Sequence, residues 1–163
     1  MNMLSLFMTG FTVENYLQSK WKYISLVIMG GVGGNLFSDV ANPYVISVGA
    51  SGAIYAIIAR YGVYLAFNYK KLGKASYPFL IFFGIMTVFG FINGFTTPGV
   101  DGYGHLGGVI TGALLSTMLK PHGEEVNPLE LKMRIPLFIL LIFYTVLMLI
   151  LVFVLPLPKC DSS

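Results

Sequence analysis

Apolar residues along this chain gather into six runs, over roughly 1–13, 22–38, 50–68, 77–95, 102–119 and 135–156. Short polar stretches separate them. A helix needs about 20 apolar residues to cross the hydrocarbon core of a bilayer. The last four runs approach or reach that length. The second is glycine-rich but long enough. The first holds about 12 residues and matches only the inner half of a spanning helix. The pattern predicts an all-α fold: a polytopic membrane helix bundle of about five full spanning helices plus a truncated N-terminal one. No soluble linker, low-complexity tract or internal repeat interrupts it.

Composition fits this reading. The 163 residues are 56% hydrophobic and 10% charged, whereas a soluble domain carries about 25% charged residues. Such a chain cannot cover a water-facing surface, and its length is that of one domain. The net charge of +3 does not point to nucleic acid, because the basic residues form no patch and instead punctuate the apolar runs. The single cysteine, Cys160, lies in the polar tail 157–163 and has no partner for an internal disulfide. Two histidines without cysteine partners do not make a structural zinc site. The opening "MNMLSLFMTG" lacks the basic region and cleavage site of a signal peptide. No cofactor and no metal is expected.

Charge also orients the runs. Lys20 and Lys22, then Lys70, Lys71 and Lys74, then Lys120, Lys132 and Arg134 fall in alternate connections. The connections 38–49 and 95–101 contain no Lys or Arg. Eight of the ten basic residues therefore share one side, with Arg60 inside a run and Lys159 in the tail. The positive-inside rule places that side in the cytoplasm. The connection 121–134 is then cytoplasmic, and residue 51 heads its helix at the outer or lumenal side.

Two residues converge on one depth. Ser51 lies 19 residues before Lys70 and His105 lies 15 before Lys120. At the helical rise, these place them roughly 28 Å and roughly 23 Å above the basic edge, within about one turn of each other. A polar or ionisable side chain at such depth is costly and by default marks function. Serine and histidine at matched depth can form the hydrogen bond that a nucleophile and its base require. Close approach is supplied by Gly104, Gly108 and Gly112, spaced by four, and by Gly52 and Ala56 beside Ser51. Tyr55, one turn from Ser51, is placed to pack against the imidazole. Plainer roles are open to each residue taken alone. Serine is common at membrane helix interfaces, a lone histidine can bond a neighbouring carbonyl, and the glycine stripe serves packing in any case. Arg60 either snorkels or pairs inside the bundle, and Asp39 and Asp101 read as loop or cap residues. It is the combination that singles out Ser51 and His105.

"GASGAIYA", followed 54 residues after its serine by "HLGGVITG", resembles the rhomboid family of intramembrane serine proteases. The family's GxSG motif matches Gly49, Ala50, Ser51 and Gly52. Its tyrosine four residues on matches Tyr55, and its HxxGxxxG helix matches His105, Gly108 and Gly112. "NMLSLFMTGFTVE" resembles the second helix of the family core, with Asn2 and Glu14 at the family's spacing. The resemblance implies that residues 1–120 are a partial rhomboid core lacking its first helix, followed by an additional spanning helix at 135–156. It implies a Ser51 nucleophile, a His105 base held by Tyr55 without an acidic third member, and an oxyanion held by the Ser51 N–H and the Asn2 side chain. Lying before Met1, the histidine of the family's HxxxN motif would be absent. Run 77–95 would be the lateral gate, with Gly84, Gly90 and Gly94 letting it bend. Substrates would be single-pass transmembrane proteins cleaved in or near the bilayer. The alternatives are a catalytically inactive relative or fragment that binds membrane helices, and, from a different class, a small channel or transporter. The last would call for polar residues lining several helices, and only the Ser51–His105 pair stands out.

Overall fold

The computed structural model describes residues 2–43, 50–120 and 128–155. They form six α-helices: α1 Asn2–Leu17, α2 Lys20–Ala41, α3 Ser51–Leu72, α4 Tyr77–Thr96, α5 Gly102–Leu115 and α6 Pro128–Val154. A 3₁₀ turn, Gly73–Ser76, joins α3 to α4. Local chemistry sets several boundaries. Ser19 caps α2 by accepting from the Lys22 N–H at 3.5 Å. Asp101 caps α5 by accepting from the Gly104 N–H at 2.9 Å. Pro78 fits the first turn of α4, where an N–H would have no acceptor anyway. Helix α6 starts at Pro128, before the apolar run itself begins. Its Glu130 is buried against Lys120 at 2.9 Å, which offsets the cost of carrying a charge into the bundle.

Helices α2, α3 and α5 pack most closely and form the centre. Helix α1 leans on α3, α4 on α3 and α5, and α6 on α2 and α5. Three helices, α2, α4 and α6, are long and apolar enough to cross a membrane. Helix α3 is also long but carries Arg60, Lys70 and Lys71. Helix α5 is shorter than its apolar run, because the backbone tightens after Leu115 into turns that reach Leu119. The central helices are thus the less lipid-like ones. Their polar and small residues face protein, whereas Phe79, Ile85 and Phe89 of α4 and Ile139, Phe143 and Ile150 of α6 point outward, as a hydrocarbon surrounding requires.

Glycine makes the centre possible. A Cβ on Gly108 would overlap the Gly52 carbonyl, and one on Gly112 would overlap the Ala56 carbonyl. A Cβ on Gly34 would stand 2.8 Å from the Gly104 carbonyl and 3.1 Å from the Gly52 Cα. Lipid is as apolar as leucine, so helices in a bilayer associate by close van der Waals contact and interhelical hydrogen bonds. Backbone-to-backbone approach is the strongest form of the former. Arg60, a second charged residue inside this bundle, is fully buried. Its guanidinium lies 4.6 Å over the Tyr16 ring and donates to the Leu119 carbonyl past the end of α5. It pairs inside the bundle rather than snorkelling out. Lys22 donates to the next carbonyl, that of Lys120, at 2.5 Å. Two cations therefore bond the turns that follow α5.

Gly108→Leu is expected to cost about 3 kcal/mol or more by overpacking a backbone contact. Gly84, whose Cβ would meet nothing within 4 Å, should accept leucine without loss. Thermal melts followed by circular dichroism in detergent test the contrast, and equal melting temperatures for the two variants would refute it.

Candidate active site

Ser51 is the first residue of α3, with Ala50 before it as the N-cap. The Ile54 N–H bonds the Ala50 carbonyl at 3.1 Å, the first bond of the helix. The N–H groups of Ser51, Gly52 and Ala53 therefore lack intrahelical acceptors, and the positive end of the helix dipole lies with them. The half-buried serine side chain sits at that end.

His105 lies in the first turns of α5 and is 5% exposed. Its ring packs on Tyr55 at 4.3 Å between centroids, tilted by 33°. Its Nδ1 lies 3.1 Å from the Gly90 carbonyl of α4. A carbonyl oxygen can only accept, so in a neutral ring Nδ1 carries the proton. Nε2 is then left with a free lone pair, the form a general base requires. This carbonyl is a positioning contact that sequence reasoning missed, because a backbone acceptor leaves no side-chain signature. Gly90 has a second use: a Cβ there would overlap the Tyr55 hydroxyl. A Cβ on Gly94 would stand 2.5 Å from the Gly102 Cα and 3.1 Å from His105 Nδ1. Gly90 and Gly94 thus let α4 close on the histidine.

The remaining expected residues fall as follows. Gly52 and Gly104 meet, the Gly104 carbonyl lying 3.3 Å from where a Gly52 Cβ would be. Each is the chain neighbour of a dyad candidate, so this contact brings positions 51 and 105 to the same level. Among the described hydrogen bonds none joins Ser51 to His105 directly; the polar contact recorded for the imidazole is the one to Gly90. Gly49 and the side chain of Asn2 lie outside the described residues. The α2 glycines Gly30, Gly33 and Gly34, and Gly107 on α5, were not singled out from sequence, although "GGVGG" at 30–34 was a visible sign. Among the described residues, no group of three or more His, Cys, Asp or Glu gathers as a metal would need.

The rhomboid domain model matches residues 1–122. Rhomboid-like protease 5 of Toxoplasma gondii is 36% identical over 104 residues, 60% of this chain and 12% of that protein. Inactive rhomboid protein 1 of Rattus norvegicus is 31% identical over 104 residues, covering 63% of the chain and 12% of the relative. Inactive rhomboid-related protein 2 of Caenorhabditis elegans is 30% identical over 109 residues, covering 63% and 31% respectively. The chain belongs to the rhomboid family, and it spans well under half the length of these relatives. It is a membrane protein of a family whose members are named both as proteases and as inactive proteins.

The Gly90 contact makes a spectroscopic prediction. With ¹⁵N-labelled histidine, His105 should give a protonated Nδ1 and an unprotonated Nε2 near neutral pH. Gly90→Ala, which drives the Tyr55 ring from its place, should mix the two tautomers. A dominant Nε2–H form in the unaltered protein would contradict the assignment.

Proposed function

We propose that this protein is an intramembrane serine endopeptidase that uses Ser51 and His105 as a dyad. Its substrates are single-pass transmembrane proteins, cut in or near their spanning segments. The observation that carries the reading is the setting of His105: its Nδ1 is committed to the Gly90 carbonyl, one face is covered by Tyr55, and the helix bearing it packs through glycine on the helix headed by Ser51.

The reaction follows from these groups. Nε2 of His105 takes the Ser51 hydroxyl proton as Oγ attacks the scissile carbonyl. The resulting oxyanion meets the N–H of Ser51 at the positive end of α3, and the family resemblance implies the side-chain amide of Asn2 as its second donor. Fixed donors in a site of low dielectric supply the largest share of the stabilisation. His105 then gives its proton to the leaving amine as the C–N bond breaks. A water attacks the acyl-enzyme while His105 takes its proton, and His105 returns that proton to Ser51 Oγ as the acyl C–O bond breaks and the acid product leaves. The site faces the outer or lumenal side, with the lysine-rich ends of the helices in the cytoplasm. The second reading is a pseudoprotease that binds membrane helices without cutting them, favoured by the two relatives named inactive at identities close to that of the protease.

Fluorophosphonate labelling in liposomes separates the readings without a known substrate. Labelling should occur, vanish in Ser51→Ala, and fall about 10²- to 10⁴-fold in His105→Ala. Tyr55→Ala should lower it less severely. A folded protein that takes no label would decide for the second reading, and a Ser51→Ala variant labelled like the parent would refute the dyad.

A further inference from the structure

Helix α6 lies beyond the residues matched by the family model, yet it reaches the centre of the bundle at one point. Most of it faces outward. Leu141, Tyr144 and Met148 form its buried stripe, spaced by three and four. The Tyr144 hydroxyl donates to the Gly33 carbonyl of α2 at 3.1 Å and lies against the side chain of Thr111 on α5. Thr111 in turn donates to the Gly107 carbonyl at 2.8 Å. The same Gly33 carbonyl lies 2.7 Å from where a Gly107 Cβ would stand. Tyr144 thus ends where α2 and α5 touch backbone to backbone.

That junction lies directly behind the histidine. Gly107 follows His105 by two residues, roughly 200° around the helix and about 3 Å along it. His105 faces Tyr55 and Gly90 on one side of α5, and Gly107 faces Gly33 and Phe37 on the other. A seam of glycines is close but smooth. It offers few side chains to fix how far α5 turns or slides, and a directional hydrogen bond at the seam supplies that fix.

We propose that Tyr144 is a positioning residue for His105: from α6 it braces α5 at the Gly33–Gly107 junction and so holds the imidazole between Tyr55 and the Gly90 carbonyl. The catalytic part of this inference rests on the reading of Ser51 and His105 as a dyad; the positional part does not. Helix α6 is then a working part of the site rather than an appendage in the bilayer. It is also tied at its other end, where Glu130 meets Lys120.

The test uses the full chain in liposomes with ¹⁵N-labelled histidine, in a His122→Gln background that leaves His105 as the only histidine. Tyr144→Phe keeps the ring and removes the hydroxyl. It should broaden or average the His105 nitrogen signals and slow fluorophosphonate labelling about threefold to tenfold, the scale of one interhelical hydrogen bond. Met148→Ala, on the same stripe, is the control for mere packing; it should lower the melting temperature and leave the His105 spectrum alone. A Tyr144→Phe spectrum identical to the parent's would overturn the proposal, as would an equal disturbance by Met148→Ala. If the parent takes no label, the dyad reading fails, and the nitrogen spectra still decide whether Tyr144 positions the ring.

Discussion

Everything in this bundle depends on the carbonyl of Gly104 being allowed to touch two other backbones. A Cβ at Gly34 on α2 would meet that oxygen at 2.8 Å, and one at Gly52 on α3 at 3.3 Å. Three helices therefore share one level at their Ser51 end. In water, larger apolar side chains could have held three helices together through the hydrophobic effect. In hydrocarbon that driving force is missing between helices, and contact area at short range must replace it. The same closeness gives α5 and α3 a common depth, which sets Ser51 and His105 at one level.

The histidine is oriented by an amide rather than by a carboxylate, and the setting explains why this suffices. An ionised acid at this depth would have to be desolvated, at a cost that its pairing with an imidazole need not recover. The Gly90 carbonyl is already desolvated and already placed by α4. It selects the tautomer and brings no net charge. Tyr55 then restricts the ring from one face, while glycines on α4 make room for both the tyrosine hydroxyl and the imidazole.

Much of this was legible in the residues. Six apolar runs correspond to six helices, and Ser51 with Gly52 and the HxxGxxxG segment stand on the two helices that pack most closely. What was hidden was hidden for physical reasons. Helix α6 begins at Pro128 because a buried pairing of Glu130 with Lys120 stabilises charge where the apolar pattern has not yet begun. The runs of α3 and α5 are visible, yet their helices are less lipid-like than the others, since interior helices can be polar and short when other helices screen them from lipid. The Gly90 and Gly33 carbonyls carry no side-chain code, so their bonds to His105 and Tyr144 emerge only when the helices are placed together.

Arg60 bears on how the bundle can be assembled. Its guanidinium finds the Tyr16 ring on α1, already synthesised when α3 emerges, and the Leu119 carbonyl, which is not. An arginine at the centre of a lone helix opposes insertion by roughly 2.5–3.5 kcal/mol, and Lys70 and Lys71 follow it on the same helix. Helix α3 is therefore a poor solitary passenger through the insertion machinery. The Tyr16 ring can meet the guanidinium as α3 enters, and the Leu119 carbonyl can join only once α5 has followed. The bilayer then receives α3 as part of a cluster of helices rather than alone.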